Sequence, residues 1–408
     1  MESNSLSDHP GKLQVLRGQV ALLRQQLYWQ PDLNQATELM DQLVKAEKQL
    51  RRLERDLPLE DGPAVQGVLL DMSSSDSQTM SSSSEWGVRL ELRQSHIPTG
   101  IVHLFEAGEH PLINAQISFH GDELARLRVS CWVEGYSDLA IETTDLTLYQ
   151  RETEIKLLPV FRSSAIREIH ELRRATLHFQ VLEAKNNREL YRTFPIWLLP
   201  QSSAYLWIRD PVSGQRIDLT SYLAAWVTPN DPDVMQILRR AAELHSNKMI
   251  RGYQENEAGV ARQVEAIFKS IKAEGIRYVN SVLAFGAVPG VSQQRVRLPR
   301  EALANLSANC LDGTLLMASL LEAASLNPGM VLIPGHAFLA WETKEGSGKW
   351  DYLETTMIGT HEFAQAQQAG RTQADRWQAL AEETRDPWSF KRLSLHDLRF
   401  REHITPTA

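Results

Sequence analysis

Cys310 stands at the mouth of the apolar run in ANCLDGTLLMASLLEA (residues 308–323), and the strand-like PGHAFLAWE that follows carries His336. Beyond the Gly-rich KEGSGK lies WDYLETT, with Asp351 and Glu354. A thiol, an imidazole and a carboxylate are the parts of a nucleophile, a base that takes its proton, and a group that holds the base in one tautomer. Brought together they would carry acyl transfer, in which the thiolate attacks a carbonyl carbon and a thioester forms. Taken singly, a cysteine opening a helix or a histidine beside a strand is an ordinary structural residue. Order makes the set coherent: the nucleophile starts a helix, the base lies on the next strand pair, and the carboxylate comes one strand further.

Local signals say how each residue is held. Asn309 is a good helix N-cap and Asp312 sits near the third helical position, the arrangement of a capping box. Leu311, Leu315, Leu316, Ala318, Leu320 and Leu321 give the helix a broad apolar face, so Cys310 falls in its first turn. There the unpaired N–H groups and the positive end of the helix dipole favour a thiolate. The same N–H groups point where the oxyanion of a tetrahedral intermediate would form. MVLIPG, HAFLAWE and KWDYLETT read as three strands, the last two joined by a Gly-rich hairpin turn. Antiparallel neighbours of this kind bring Glu354 within reach of His336. Asp351 is the rival orienter, and period-two alternation points it to the opposite face from Glu354. The other cysteine, Cys131, lies in the alternating RVSCWV and reads as a buried structural thiol.

The stretch LPREALANLSANCLDGTLLMASLLEAASLNPGMVLIPGHAFLAW, continued by WDYLETT, resembles the transglutaminase-like core of the papain-like cysteine-enzyme superfamily. It is similar above all to the bacterial branch with a C-x-D helix, a P-G-H-A-F strand and an acidic-T-T strand, over about residues 293–359. The resemblance implies a helix packed on an antiparallel sheet, with Cys310 as nucleophile, His336 as base and Glu354 as the acidic partner. Glu stands where Asp is usual in the family. The extra methylene leaves the orienting role open between Glu354 and Asp351. Gln293 or Gln294 would help to polarise the substrate carbonyl, as glutamines do in papain-like enzymes, although both precede the nucleophile from outside its own loop. Trp341 and Trp350 flank the turn, as cleft walls or as core packing. Whether the acyl group passes to water or to an amine stays open.

The chain as a whole reads as an α+β multidomain protein. An N-terminal helical hairpin (1–60) and a Ser-rich linker (61–85) precede an antiparallel β-sandwich (86–225). A C-terminal transglutaminase-like (papain-like) α+β domain with a helical lead-in and C-terminal helices (226–408) follows. Leu13, Leu16, Val20, Leu23 and Leu27, then Ala36, Leu39, Leu43, Ala46, Leu50 and Leu53, recur at three-four spacing. They mark the seams of two helices over residues 11–57 that are too small to bury their stripes alone. Such a hairpin docks on its own chain, self-associates or receives a protein partner. DMSSSDSQTMSSSSE (71–85) is polar and aperiodic, the composition of a flexible linker. GVRLELR, INAQISFH, ARLRVSCWVEGY, ATLHFQVLEA and FPIWLLP alternate as short strands, and residues 201–225 read as a hairpin. Asn230 or Asp231 with Pro232 opens one helix, and another ends at Gly275. Residues 288–303 read as a loop, and 361–408 as helices wrapping the catalytic domain.

Composition narrows the function. Hydrophobic residues make up 42% of the 408 and charged ones 23%, the make-up of a globular protein with ample core. A net charge of −8 argues against nucleic acid or an anionic membrane as partner, because phosphate neutralisation needs clustered Lys and Arg. No apolar run approaches the ~20 residues that span a bilayer, and MESNSLSDHP does not read as a secretory signal. Two cysteines cannot form a disulfide framework, which points to a reducing cytoplasm. The histidines are scattered, with no HExxH, so neither metal nor cofactor is expected. The expected activity is that of a cysteine peptidase or amidase acting on peptide or isopeptide bonds of a protein substrate. The alternatives are a transglutaminase that passes the acyl group to an amine, and an inactive scaffold whose catalytic fold serves as a docking surface. Joined to a partner through the hairpin, the enzyme would be a partner-controlled effector of the kind the resemblance implies in bacterial defence or signalling.

Overall fold

The computed structural model describes residues 78–81, 86–147, 149–185, 188–209, 215–279 and 291–407, with isolated helical positions between residues 15 and 49. The protein is mixed α/β with several sheets, and it divides into two compact units, Met1–Ala64 and Val65–Ala408. In the first unit Leu23 and Ala46, both on the expected apolar stripes, are helical and buried, and Val15 is exposed. Leu16, Gln19, Gln42, Lys45 and Gln49 are helical too, and the remainder of the hairpin expected over 11–57 lies outside the described residues, as does the Ser-rich segment apart from Gln78–Ser81.

Two sheets open the second unit. The first has the order β1 (Gln78–Ser81), β2 (Trp86–Leu92), β4 (Ile113–Phe119), β7 (Glu152–Leu157). The second runs β3 (His96–Pro98), β9 (Glu189–Leu199), β8 (Arg173–Glu183), β5 (Ala125–Val133), β6 (Ala140–Leu146). A short helix, α1 (Ser163–Arg167), precedes β8. β1 falls inside the segment expected to be a linker. An edge strand needs only backbone donors and acceptors from its neighbour, here β2, and a serine-rich sequence can supply those.

Alternation decides which faces are buried. Ala175, Leu177, Phe179 and Val181 of β8 are buried between exposed or half-exposed neighbours, as are Trp86, Val88, Leu90 and Leu92 in β2. The buried sets of both sheets belong to one apolar core. The indole N–H of Trp86 donates to the buried Glu183 at 3.1 Å, from one sheet to the other. Cys131 stands opposite Phe179 in this core and is fully buried.

A smaller sheet links the two halves of the unit. β10 (Ser203–Arg209) and β11 (Arg216–Asp218) form the hairpin expected near 201–225, and β13 (Val291–Arg295) pairs with β10 on its other side. β13 and the helix α4 (Pro299–Ala304) replace the loop expected over 288–303. The sequence VSQQR shows no apolar alternation; what makes it a strand is a partner distant in sequence. This ladder spans the boundary placed at residue 225, and the Thr407 N–H donates back to the Ala225 carbonyl at 2.7 Å.

The remaining elements carry the candidate chemistry. α2 (Pro232–Leu244) is capped by Asp231, whose carboxylate accepts from the Asp233 N–H at 3.0 Å. α3 (Glu257–Glu274) starts at the cap Asn256 and ends at Gly275 with φ +80°, a conformation that favours glycine. β12 (Arg277–Tyr278) and β14 (Ser307–Ala308) then make a short parallel pair that leads into α5 (Cys310–Ala323). Every residue of α5 from Leu311 to Leu321 is buried, as a helix in the middle of a core must be. It packs on β15 (Pro328–Ile333) and β16 (His336–Glu342), which continue into an antiparallel sheet of order β17 (Trp350–Leu353), β16, β15, β18 (Lys391–Ser394). The tail expected to be wholly helical thus contributes a strand, β18, between α6 (Phe363–Thr384) and α7 (Leu395–Phe400). KRLS carries no local strand signal, and its pairing with β15 defines it. Among the described residues no helix is long and apolar enough to cross a membrane.

Candidate active site

Cys310 is the first residue of α5 and is half-buried. A reciprocal pair fixes the helix start: Asn309 Oδ1 accepts the Asp312 N–H at 2.8 Å, and Asp312 Oδ2 accepts the Asn309 N–H at 3.1 Å. The first intrahelical bond runs from the Gly313 N–H to the Asn309 carbonyl at 3.0 Å. The N–H groups of Cys310 and Leu311 are therefore the first-turn donors that neither the helix nor its cap uses. Asp312, fully buried, is also gripped from outside, by the Arg297 backbone N–H and guanidinium, each at 2.8 Å. The Cys310 carbonyl accepts the Thr314 hydroxyl at 2.7 Å and the Thr355 hydroxyl at 3.4 Å.

His336 opens β16 straight after a Pro334-Gly335 turn, in which Gly335 has φ +72°. Leu339 faces Leu353 and Trp341 faces Asp351 across β16 and β17. Period-two alternation from that register puts His336, Phe338, Tyr352 and Glu354 on one face and Asp351 on the other. The imidazole Nε2 and Glu354 Oε2 are 2.8 Å apart. Glu354 is buried and takes three further donors. The Gln373 amide reaches the same oxygen at 2.6 Å, and the Thr356 N–H and hydroxyl reach the other at 3.0 and 2.6 Å. A carboxylate filled by four donors is ionised. Nε2 therefore carries the hydrogen and donates it, which leaves Nδ1 for Cys310.

The electrostatics follow from this pairing. Burial disfavours the charged ring, but the Glu354 carboxylate and the Cys310 side chain, through charge and hydrogen bonding, outweigh it and push His336 up to about 10. Burial would likewise raise Glu354, yet the His336 ring and the Thr356 donors hold it below the ordinary carboxylate value. Each partner stabilises the charged form of the other. The His336 side chain keeps 23% of its surface accessible, against 5% for Glu354, so the ring has an open edge.

The other expected residues are placed differently. Asp351 accepts the Arg371 guanidinium through both oxygens at 2.6 Å and the Gln367 amide at 2.9 Å, so it holds α6 and not the ring. Gln294 stands on β13 opposite Ala204 and is half-buried. Among the described residues no hydrogen bond joins it to Cys310, His336 or Glu354. Gln293 is opposite Tyr205 by its backbone, and its side chain lies outside the described residues. Trp341 is fully buried beside Phe363 and belongs to the core, whereas Trp350 lies under the Arg392 guanidinium at 4.7 Å. In Cys131, burial pushes the thiol up to about 12.

Gln373 and Thr356 escaped the sequence reading, and one signal for Gln373 was there. It falls in phase with Phe363, Ala366, Gly370 and Trp377 on the buried stripe of α6. An amide on an apolar stripe needs a buried polar partner. Among the described residues no group of three or more His, Cys, Asp or Glu side chains could hold a metal ion. Comparison with the models of known protein families gives no match, and comparison with curated proteins gives none.

Proposed function

We propose that this protein is a cysteine-dependent acyl-transfer enzyme that hydrolyses a peptide or isopeptide bond of a protein substrate. One observation carries the reading: a buried carboxylate holds the His336 ring at 2.8 Å, and the same ring is coupled to a half-exposed Cys310 at the start of α5. With the proton they share held on Nδ1, Cys310 attacks the carbonyl carbon as the thiolate of a thiolate–imidazolium pair. The N–H groups of Cys310 and Leu311 meet the oxyanion. The imidazolium then protonates the leaving amine as the C–N bond breaks, and a thioester remains. His336 takes a proton from water, the hydroxide adds, and the sulfur leaves. Glu354 stabilises the imidazolium and fixes its tautomer without itself taking the proton. α5 on its antiparallel sheet fits the helix-on-sheet core of the transglutaminase-like fold, and the two sheets that share a core fit a β-sandwich before it.

The test is a peptide vinyl sulfone, which captures an activated thiolate, applied to the whole protein. The expected result is one adduct, on Cys310, formed far more slowly in His336→Ala. Capture at the rate of an unstructured cysteine peptide, unchanged in His336→Ala, would overturn the reading. Once a substrate is in hand, incorporation of a labelled alkylamine in place of hydrolysis would identify a transglutaminase.

A further inference from the structure

Helix α6 runs along the edge of β17, and its approach is closer than a side chain would allow. A Cβ on Gly370 would lie 2.6 Å from the Leu353 nitrogen and 2.8 Å from both Leu353 Cα and the Tyr352 carbonyl carbon. The contact is fixed beside Glu354, whose N–H donates to the Ala366 carbonyl at 3.0 Å, and again at Asp351, held by Arg371 and Gln367. At this depth, three residues after Gly370, the Gln373 amide reaches Glu354 Oε2 at 2.6 Å.

We propose that Gln373 is a positioning residue of the site, fixing the Glu354 carboxylate so that Oε2 stays turned to the His336 ring. The proposal rests on the acyl-transfer reading. Glu has one more rotatable bond than Asp, so its carboxylate needs more restraint to hold one orientation. Thr356 supplies that restraint at Oε1 through two donors, and Gln373 supplies it at Oε2 from another element. Gln373 is 8% exposed, so water does not readily replace its amide. Removing it leaves a buried lone pair unmet, and the carboxylate gains by turning towards some other donor. The ring then loses both the hydrogen bond and the nearest negative charge.

The experiment replaces Gln373 by Met, which keeps the volume and offers no donor, in the full chain with labelled histidine. The His336 ring is followed by NMR titration, and kcat and KM are measured alongside. The parent ring is expected to stay protonated well above the ordinary histidine range, with a midpoint lower by about one unit in Gln373→Met. kcat is expected to fall about tenfold with KM unchanged. Gln373→Leu provides the same test should the Met variant not fold. A midpoint unmoved in a folded variant overturns the role and leaves Gln373 a packing residue. The acyl-transfer reading is judged separately, by whether Cys310→Ser abolishes turnover, so the failure of either is recognisable.

Discussion

The two cysteines set one side chain in two environments. Cys131 sits in the middle of β5, opposite Phe179, where burial keeps it a thiol. Cys310 opens α5 with part of its surface accessible and an imidazole beside it, itself held by a buried carboxylate. Sheet alternation made the first an apolar filler, whereas a helix cap, a tight turn and a strand register converged to surround the second with charge. On the acyl-transfer reading, reactivity belongs to the cysteine that has both access and a charged partner.

The sharpest way to break the contrast is to delete each thiol. Cys310→Ala should lower turnover by about 10⁴-fold or more. Cys131→Ala should leave turnover within about twofold and cost about 1 kcal/mol of stability, read by denaturant unfolding, from a small cavity in the core. Next comes the base: His336→Ala should cost about 10²–10⁴-fold in kcat/KM.

Glu354→Gln tests the charge and should cost less, about 10–10²-fold, with a distinctive pH signature. The parent imidazolium persists until pH approaches about 10, so activity should hold into the alkaline range. In Glu354→Gln that limb should move down toward the ordinary histidine value of 6.5. Stability follows the same signs. The contribution of His336 is complete below pH 6.5 and is lost as pH rises through about 10. That of Glu354 is present above its ordinary 4.5 and is lost as pH falls through its lowered value. Melting temperatures of the parent and Glu354→Gln should therefore differ most between those two ordinary values.

Gly370→Ala sharpens the contrast from a distance. The added methyl meets backbone, so α6 must shift, at about 1–3 kcal/mol by thermal unfolding and with a fall in kcat. Asp351→Asn should have the smallest effect, about 1 kcal/mol or less by the same measurement, because Arg371 is 47% exposed. It should leave the alkaline limb where it is, since Asp351 does not touch the ring.

Legibility in the sequence followed the range of the interaction. The cap at Asn309 and Asp312, the stop at Gly275 and the Gly-rich turn after Glu342 are written in neighbouring residues, and the elements around Cys310 and His336 could be placed from them. Alternation alone set Asp351 and Glu354 on opposite faces. The structure then supplied what alternation could not: Arg371 occupies one carboxylate and His336 the other. β13 and β18 were illegible because VSQQR and KRLS gain strand character only from β10 and β15. Gln373 lay between, its helical phase visible and its partner not.

The most direct measurement is the rate of Cys310 alkylation by iodoacetamide at pH 6, resolved by mass spectrometry, in the parent and in His336→Ala. The account predicts that Cys310 reacts about tenfold or more faster in the parent, while Cys131 in the same molecules stays unmodified. Equal rates at Cys310 in the two proteins would contradict it.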